Sequence, residues 1–200
     1  MIGLIGKLLI GAAFLASAFS LVYYGIAAKN PSNKKAEKFA HLSYILKTLF
    51  ILISSGILVN LTVTHQFQYF YVYNYTSLDL AYRYLISAFY SGQEGSFMLW
   101  ILFSGIIGIG LIRWTSDTYR ASVLFVMSLT QFFLLSMILG IHLGDFTIGA
   151  SPFRTLAEAM PNAPFLQANP GFIPADGKGL NDLLKSPWIM IHPPILFLGF

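Results

Sequence analysis

Four apolar runs, each about long enough to cross a bilayer, decide what this chain can fold into. They extend from about Ile2 to Ala28, Leu42 to Val63, Phe97 to Ile112 and Ala121 to Leu143. A hydrocarbon core of about 30 Å takes a helix of roughly 20 residues at about 1.5 Å rise each. Lipid offers no partner to backbone N–H and C=O groups, so a continuous apolar run crosses it as a helix. Composition agrees. Of the 200 residues, 56% are hydrophobic and 10% charged, against roughly 25% charged in a soluble domain. The expected fold is an all-α integral membrane protein, a polytopic helical bundle forming one transmembrane domain over 1–200. It has four complete spans and one or two short helices outside them. A fifth apolar segment, 187–200, covers only about 21 Å. It reads as an incomplete span, and the chain as a truncated fragment or one piece of a split protein.

The first run is read as a span rather than a cleaved signal peptide, because it is too long and Tyr23 and Tyr24 suit a membrane interface. Gly11, Ala12, Ala16 and Ser17 are its expected close-packing positions. Charge then orients the spans. Lys29, Lys34, Lys35 and Lys38 lie between the first two runs, and Arg113 and Arg120 between the third and fourth. The opposite side carries only Arg83, Arg154, Lys178 and Lys185, spread over far more sequence. The positive-inside rule puts the basic loops in the cytoplasm, and the N-terminus with loops 64–96 and 144–186 outside. No stretch offers the basic, aromatic-studded face that nucleic-acid binding needs. The absence of cysteine excludes disulfides, thiolate metal sites, thiol catalysis and haem attachment to the chain itself.

Several polar residues sit at informative places. Lys47 lies near the start of the second run, where it can snorkel toward the basic loop. His41 heads that helix and reads as solvated. His65 closes it and opens an aromatic tract, Phe67 to Tyr75, suited to an interface belt or a partly buried loop. Tyr82 to Tyr90 reads as a short helix. Ser96 is expected to cap the third span, with Glu94 just before it at the positive helix end. Ser104 and Gly108 form a small-xxx-small pair, and Gln131 is expected to bond another helix. His142 and Asp145 stand three apart, too few ligands for a metal site. Near the end, Ser186 and Pro187 open a helix that places His192 about 8 Å in. Pro193 and Pro194 carry no N–H, so they orphan the carbonyls of Ile189 and Met190. An ionisable ring beside such a kink in an apolar segment reads as a ligand or proton relay, or as a packing histidine bonded to a neighbouring helix.

Three stretches bring a family into view. They are Ser91-Gly-Gln-Glu-Gly-Ser-Phe-Met-Leu-Trp100, Ser151-Pro-Phe-Arg154, and Gly179-Leu-Asn-Asp-Leu-Leu-Lys-Ser-Pro-Trp-Ile-Met-Ile-His-Pro-Pro194. In this order they resemble the N-terminal part of CcmF, the large haem lyase subunit of cytochrome c maturation; related nitrite-reductase haem lyases share the architecture. Ser151 and Asp182 stand where that family has Asn and Pro. The resemblance implies an inner-membrane protein that handles haem at the outer face. It would take haem from a CcmE-type haem chaperone and help join it to the CxxCH thiols of apocytochrome c, with a CcmH-type thiol-reductase partner and the remaining part of the haem lyase. His192 would correspond to a transmembrane histidine binding haem b, its second ligand lying outside this chain. Arg154 would meet a haem propionate or a partner. Gln93, Glu94, Trp100, Asn181, Pro193 and Pro194 are motif residues without an assigned role. The fragment alone is expected to be inactive. The alternative is a subunit of a transporter or proton-translocating complex, with His192, Glu94 and Gln131 as a relay.

Overall fold

The structure, a computed structural model, describes residues 1–143, 146–169 and 171–199, with backbone alone at 142, 143, 146 and 189. The His142–Asp145 pair therefore lies outside the described residues. The elements in chain order are α1 Ile2–Lys29, α2 Lys34–Val63, α3 Phe70–Tyr75, α4 Tyr82–Ala88, α5 Gln93–Trp114 and α6 Asp117–Met137. A small hairpin follows, β1 Ile141–Leu143 and β2 Phe146–Ile148. The chain continues through α7 Leu156–Ala159, α8 Pro164–Ala168, a 3₁₀ turn Asp182–Leu184 and α9 Pro187–Gly199. Four of these helices, α1, α2, α5 and α6, are long and apolar enough to cross a membrane, so the chain is an all-α polytopic bundle. Contacts run from α1 to α2, α2 to α5, α5 to α6 and α6 back to α1, closing a ring.

Small residues decide how closely the helices approach. The buried face of α1 is Gly3, Gly6, Ile10, Ala13, Ser17, Ser20, Tyr24 and Ala27, in alternating steps of three and four. That is the seam of a left-handed helix pair, and α2 answers it with Ala40, Tyr44, Lys47, Ile51, Ser54, Leu58 and Leu61. Of the packing positions expected in the first run, Ser17 lies on this seam, whereas Gly11 faces open space. Leu4, Leu8, Leu15 and Phe19 point outward, as lipid contacts require. Polar groups inside the ring pair across helices. The Ser20 and Ser128 hydroxyls meet at 2.9 Å. Gln131 Nε2 donates to Tyr44 Oη (2.9 Å) and Ser104 Oγ (3.0 Å), the interhelical bonding expected of it.

Three expectations about α2 are corrected. The helix begins at Lys34 rather than Leu42, capped by the Asn33 side chain accepting from Ala36 N–H. Lys47 is therefore about 20 Å from the helix start. It is fully buried, its Nζ 3.4 Å from the Tyr44 ring centroid and without a hydrogen-bond partner. It does not snorkel. His41 is not solvated either: its Nδ1 lies 2.8 Å from Tyr24 Oη.

The fourth span also ends early. α6 stops at Met137, short of the expected Leu143, because Gly140 takes a left-handed φ of +64°. The chain turns back through the hairpin, and Ala150 N–H donates to the Met137 carbonyl at 2.9 Å. That bond satisfies one of the carbonyls a helix end leaves open.

Lys47→Met keeps the volume and removes a buried, unpartnered amine. The expected result is a gain of about 1–3 kcal/mol, the cost of an unsatisfied buried polar group. Thermal unfolding in detergent checks it, and a lower melting temperature in the variant would mean that Nζ makes a compensating interaction.

Candidate functional site: the cap and the double-proline helix

The N-terminus of α1, the C-termini of α2 and α6 and the N-terminus of α5 share one end of the bundle, covered by the short elements. Gly3 N–H donates to Tyr69 Oη at 2.9 Å. Lys7 Nζ meets both Glu158 carboxylate oxygens, at 2.6 and 2.7 Å. Glu158 is also the third residue of the α7 capping box opened by Thr155. Partial burial works to raise its carboxyl pKa, but the Lys7 ammonium and the Thr155 amide outweigh this and hold it below the ordinary range. Phe70 N–H donates to the Arg154 carbonyl (2.9 Å) and Leu156 N–H to that of Gln68 (3.0 Å), stitching the long loop to the aromatic tract.

The corner between α4 and α5 is built around Tyr71. Its buried hydroxyl donates to the Phe89 carbonyl (2.8 Å) and accepts from Gly92 N–H (3.0 Å). Burial pushes this phenol well above its ordinary pKa, so it keeps the proton it donates. Gly95 is required there by close approach, because a Cβ would run into the Phe89 carbonyl and the Tyr71 hydroxyl. The corner moves the start of α5 to Gln93, with Gly92 as N-cap. Ser96 does not cap it; its hydroxyl donates to the Tyr90 carbonyl at 2.7 Å.

The three sequence stretches meet at this end. Arg154 Nη2 pairs with Glu94 Oε1 at 3.2 Å, its guanidinium 5.6 Å from the Phe70 ring. Trp100 stacks on Phe197 of α9, centroids 6.0 Å apart. Tyr90 Oη donates to the Met190 carbonyl at 2.7 Å, and Tyr84 Oη to that of Lys185 at 3.0 Å. Asn181 caps the 3₁₀ turn, its Oδ1 accepting from Leu183 N–H at 3.0 Å. Gln93 is exposed and lines an open groove of about 400 Å³ with Glu94, Phe97 and Met137.

His192 sits on the outward face of α9. Met190, Pro193, Pro194 and Phe197 are partly buried, whereas Trp188, Ile191, His192 and Ile195 are exposed. The imidazole has no hydrogen-bond partner among the described residues, so it is not a histidine bonded to a neighbouring helix. The described residues hold no group of three metal-ligating side chains. A free imidazole on an apolar helix fits one axial position of a haem iron. His41, bonded to Tyr24 at the opposite end of the bundle, is not available as the other.

No family model and no solved structure matches the chain. Curated relatives do. It is 34% identical over 151 residues to the cytochrome c-type biogenesis protein CcmF of Pseudomonas fluorescens, covering 76% of this chain and 20% of that protein. It is 29% identical over 199 residues to CcmF of Escherichia coli K12, covering 96% of this chain and 26% of that protein. Over most of its length the chain is similar to CcmF and NrfE cytochrome c-type biogenesis proteins. The cytochrome c-type biogenesis protein NrfE of Haemophilus influenzae is 28% identical over 192 residues, covering 92% of this chain and 26% of that protein. The chain thus spans about a fifth to a quarter of the length of these CcmF and NrfE relatives.

Within this CcmF/NrfE relative, residues outside the quoted stretches carry much of the cap. Tyr71 lies in the aromatic tract and Tyr84 in the short helix that precedes the first stretch. Their spacing held no signal of their roles, because each bonds a carbonyl far along the chain.

Gly95→Ala is expected to cost about 1–3 kcal/mol by overpacking, whereas Gly11→Ala, which meets nothing within 4 Å, should leave stability unchanged. Melting temperatures of the two variants in the same detergent check this. Equal values would mean that the corner tolerates a separation of α5 from Phe89.

Proposed function

We propose that this chain is the N-terminal membrane part of a cytochrome c biogenesis haem lyase in the inner membrane, with the cap on the outer, periplasmic side. In this reading it binds haem b and helps pass haem from a CcmE-type chaperone to the CxxCH thiols of apocytochrome c. It does so together with the rest of the lyase and a CcmH-type partner. The observation that carries the reading is the partnerless His192 imidazole on an apolar helix that contains two prolines, at the end where all three motif stretches converge. A bound haem would supply an iron centre whose potential its ligands and apolar surroundings tune.

The residues of the chain then have distinct tasks. His192 offers a ring nitrogen. Trp100, stacked on Phe197, holds α9 against α5. Glu94 engages Arg154 and keeps the long loop on the bundle, so a propionate or an acidic partner would reach this guanidinium by exchanging with that carboxylate. The alternative relay of His192, Glu94 and Gln131 finds no support in the contacts: Glu94 pairs with Arg154, while Gln131 belongs to the Tyr44–Ser104 group inside the ring.

The full-length protein is expected to show a b-type haem spectrum that is lost or altered in His192→Ala and partly restored in His192→Gly by added imidazole. The 200-residue chain alone should bind haem weakly or not at all. Unchanged haem content in His192→Ala at normal protein level would make His192 a packing residue.

Sidedness is tested separately. The natural chain has no cysteine, so single cysteines report cleanly. Those at Ser32 and Ser116 should resist an impermeant thiol reagent added outside intact cells or spheroplasts, and one at Ala168 should label. The reverse pattern would invert the topology.

A further inference from the structure

We propose that Tyr90 is the positioning residue for His192: its hydroxyl supplies the Met190 carbonyl with the hydrogen bond that Pro194 cannot give. This deepens the haem reading of the same helix and rests on it for its functional consequence, though not for its geometry.

In a regular helix the Met190 carbonyl accepts from the N–H four residues on. Residue 194 is proline and has none. A carbonyl left open in an apolar setting loosens the turn that carries His192. Tyr90 closes it from outside the helix at 2.7 Å.

The donor is itself held in place. Ser96 Oγ donates to the Tyr90 carbonyl at 2.7 Å. The Tyr71 hydroxyl fixes the backbone on either side of Tyr90, through Phe89 and Gly92. The Tyr90 ring packs edge-on against Phe89, centroids 6.4 Å apart. A second phenol, Tyr84, bonds the Lys185 carbonyl just before α9 begins. The turn bearing His192 is thereby tied to the same corner that starts α5. A shift of that corner moves the imidazole, and an iron ligated by His192 would register the shift. The bond also explains why a tyrosine, rather than an apolar aromatic, faces α9 at this position.

The test is a double-mutant comparison in the full-length protein, with two readouts. Tyr90→Phe keeps the ring and removes the hydroxyl; Pro194→Ala restores the missing N–H. Hydrogen–deuterium exchange of the peptide covering 187–199 should rise severalfold in Tyr90→Phe. In Tyr90→Phe/Pro194→Ala it should return to or below the level of the natural sequence. The b-type haem spectrum should broaden or its midpoint potential shift in the single variant, and move back in the double variant. Unchanged exchange in Tyr90→Phe would overturn the proposal. So would a rise that Pro194→Ala does not reverse, because the hydroxyl would then not be replacing the proline's missing donor. Rescue of exchange in a protein with no haem spectrum at all would uphold the clamp and reject the haem reading. A haem spectrum indifferent to Tyr90→Phe, with exchange raised, would leave Tyr90 a helix clamp and reject its role in positioning His192.

Discussion

A hydrocarbon slab gives a protein no hydrogen bonds, so every polar group placed in it must be paired by the chain itself. Much of the structure follows from that one condition. Backbone groups are satisfied within the four long helices. Ser20 pairs with Ser128, and the Gln131 amide nitrogen with Tyr44 and Ser104, across facing helices. Small residues on α1 let the backbones come close enough for those short side chains to reach. Lys47 meets the condition least well: its buried Nζ has no hydrogen-bond partner and rests on the face of the Tyr44 ring. The double proline of α9 creates the same problem in the backbone, and Tyr90 answers it at the Met190 carbonyl from outside the helix.

The cap converts these local solutions into a site. Residues 60 positions apart form the Glu94–Arg154 pair, and residues 100 positions apart form the Tyr90–Met190 bond. Stretches that look independent along the chain thus depend on a common corner, held by the buried Tyr71 hydroxyl and the absence of a side chain at Gly95. The glycines, the glutamate and the tryptophan of the first stretch act mainly as a scaffold. The group with free chemical capacity is the imidazole of His192, presented outward on the helix that this scaffold supports.

The four spans and their order are legible in the sequence because length and apolarity alone specify a crossing helix. Which face turns inward is harder to read. Lipid is as apolar as a leucine core, so hydrophobicity does not separate the two sides of α1; its three-and-four spacing of glycine, alanine and serine does. Lys47 reads wrongly because the basic loop suggests a helix start near Leu42, while the Asn33 cap starts α2 at Lys34. The end of α6 reads too far along because the apolar run continues past Gly140, whose left-handed backbone stops the helix. The orphaned carbonyl of Met190 follows directly from the sequence. Its donor does not, since nothing local separates Tyr90 from the other tyrosines of an aromatic-rich region.

The central claim is that the first motif stretch and α9 lie against each other in the assembled protein. It is tested most directly by cysteines replacing Trp100 and Phe197, whose rings stack at 6.0 Å. In membranes carrying the full-length protein, with any other cysteines removed, a short bis-maleimide should link the two in good yield. Neither cysteine should link to one placed instead at Trp114, at the far end of α5. Absence of the 100–197 crosslink, with both cysteines reactive, would contradict the packing of α9 on α5 and with it the placement of His192.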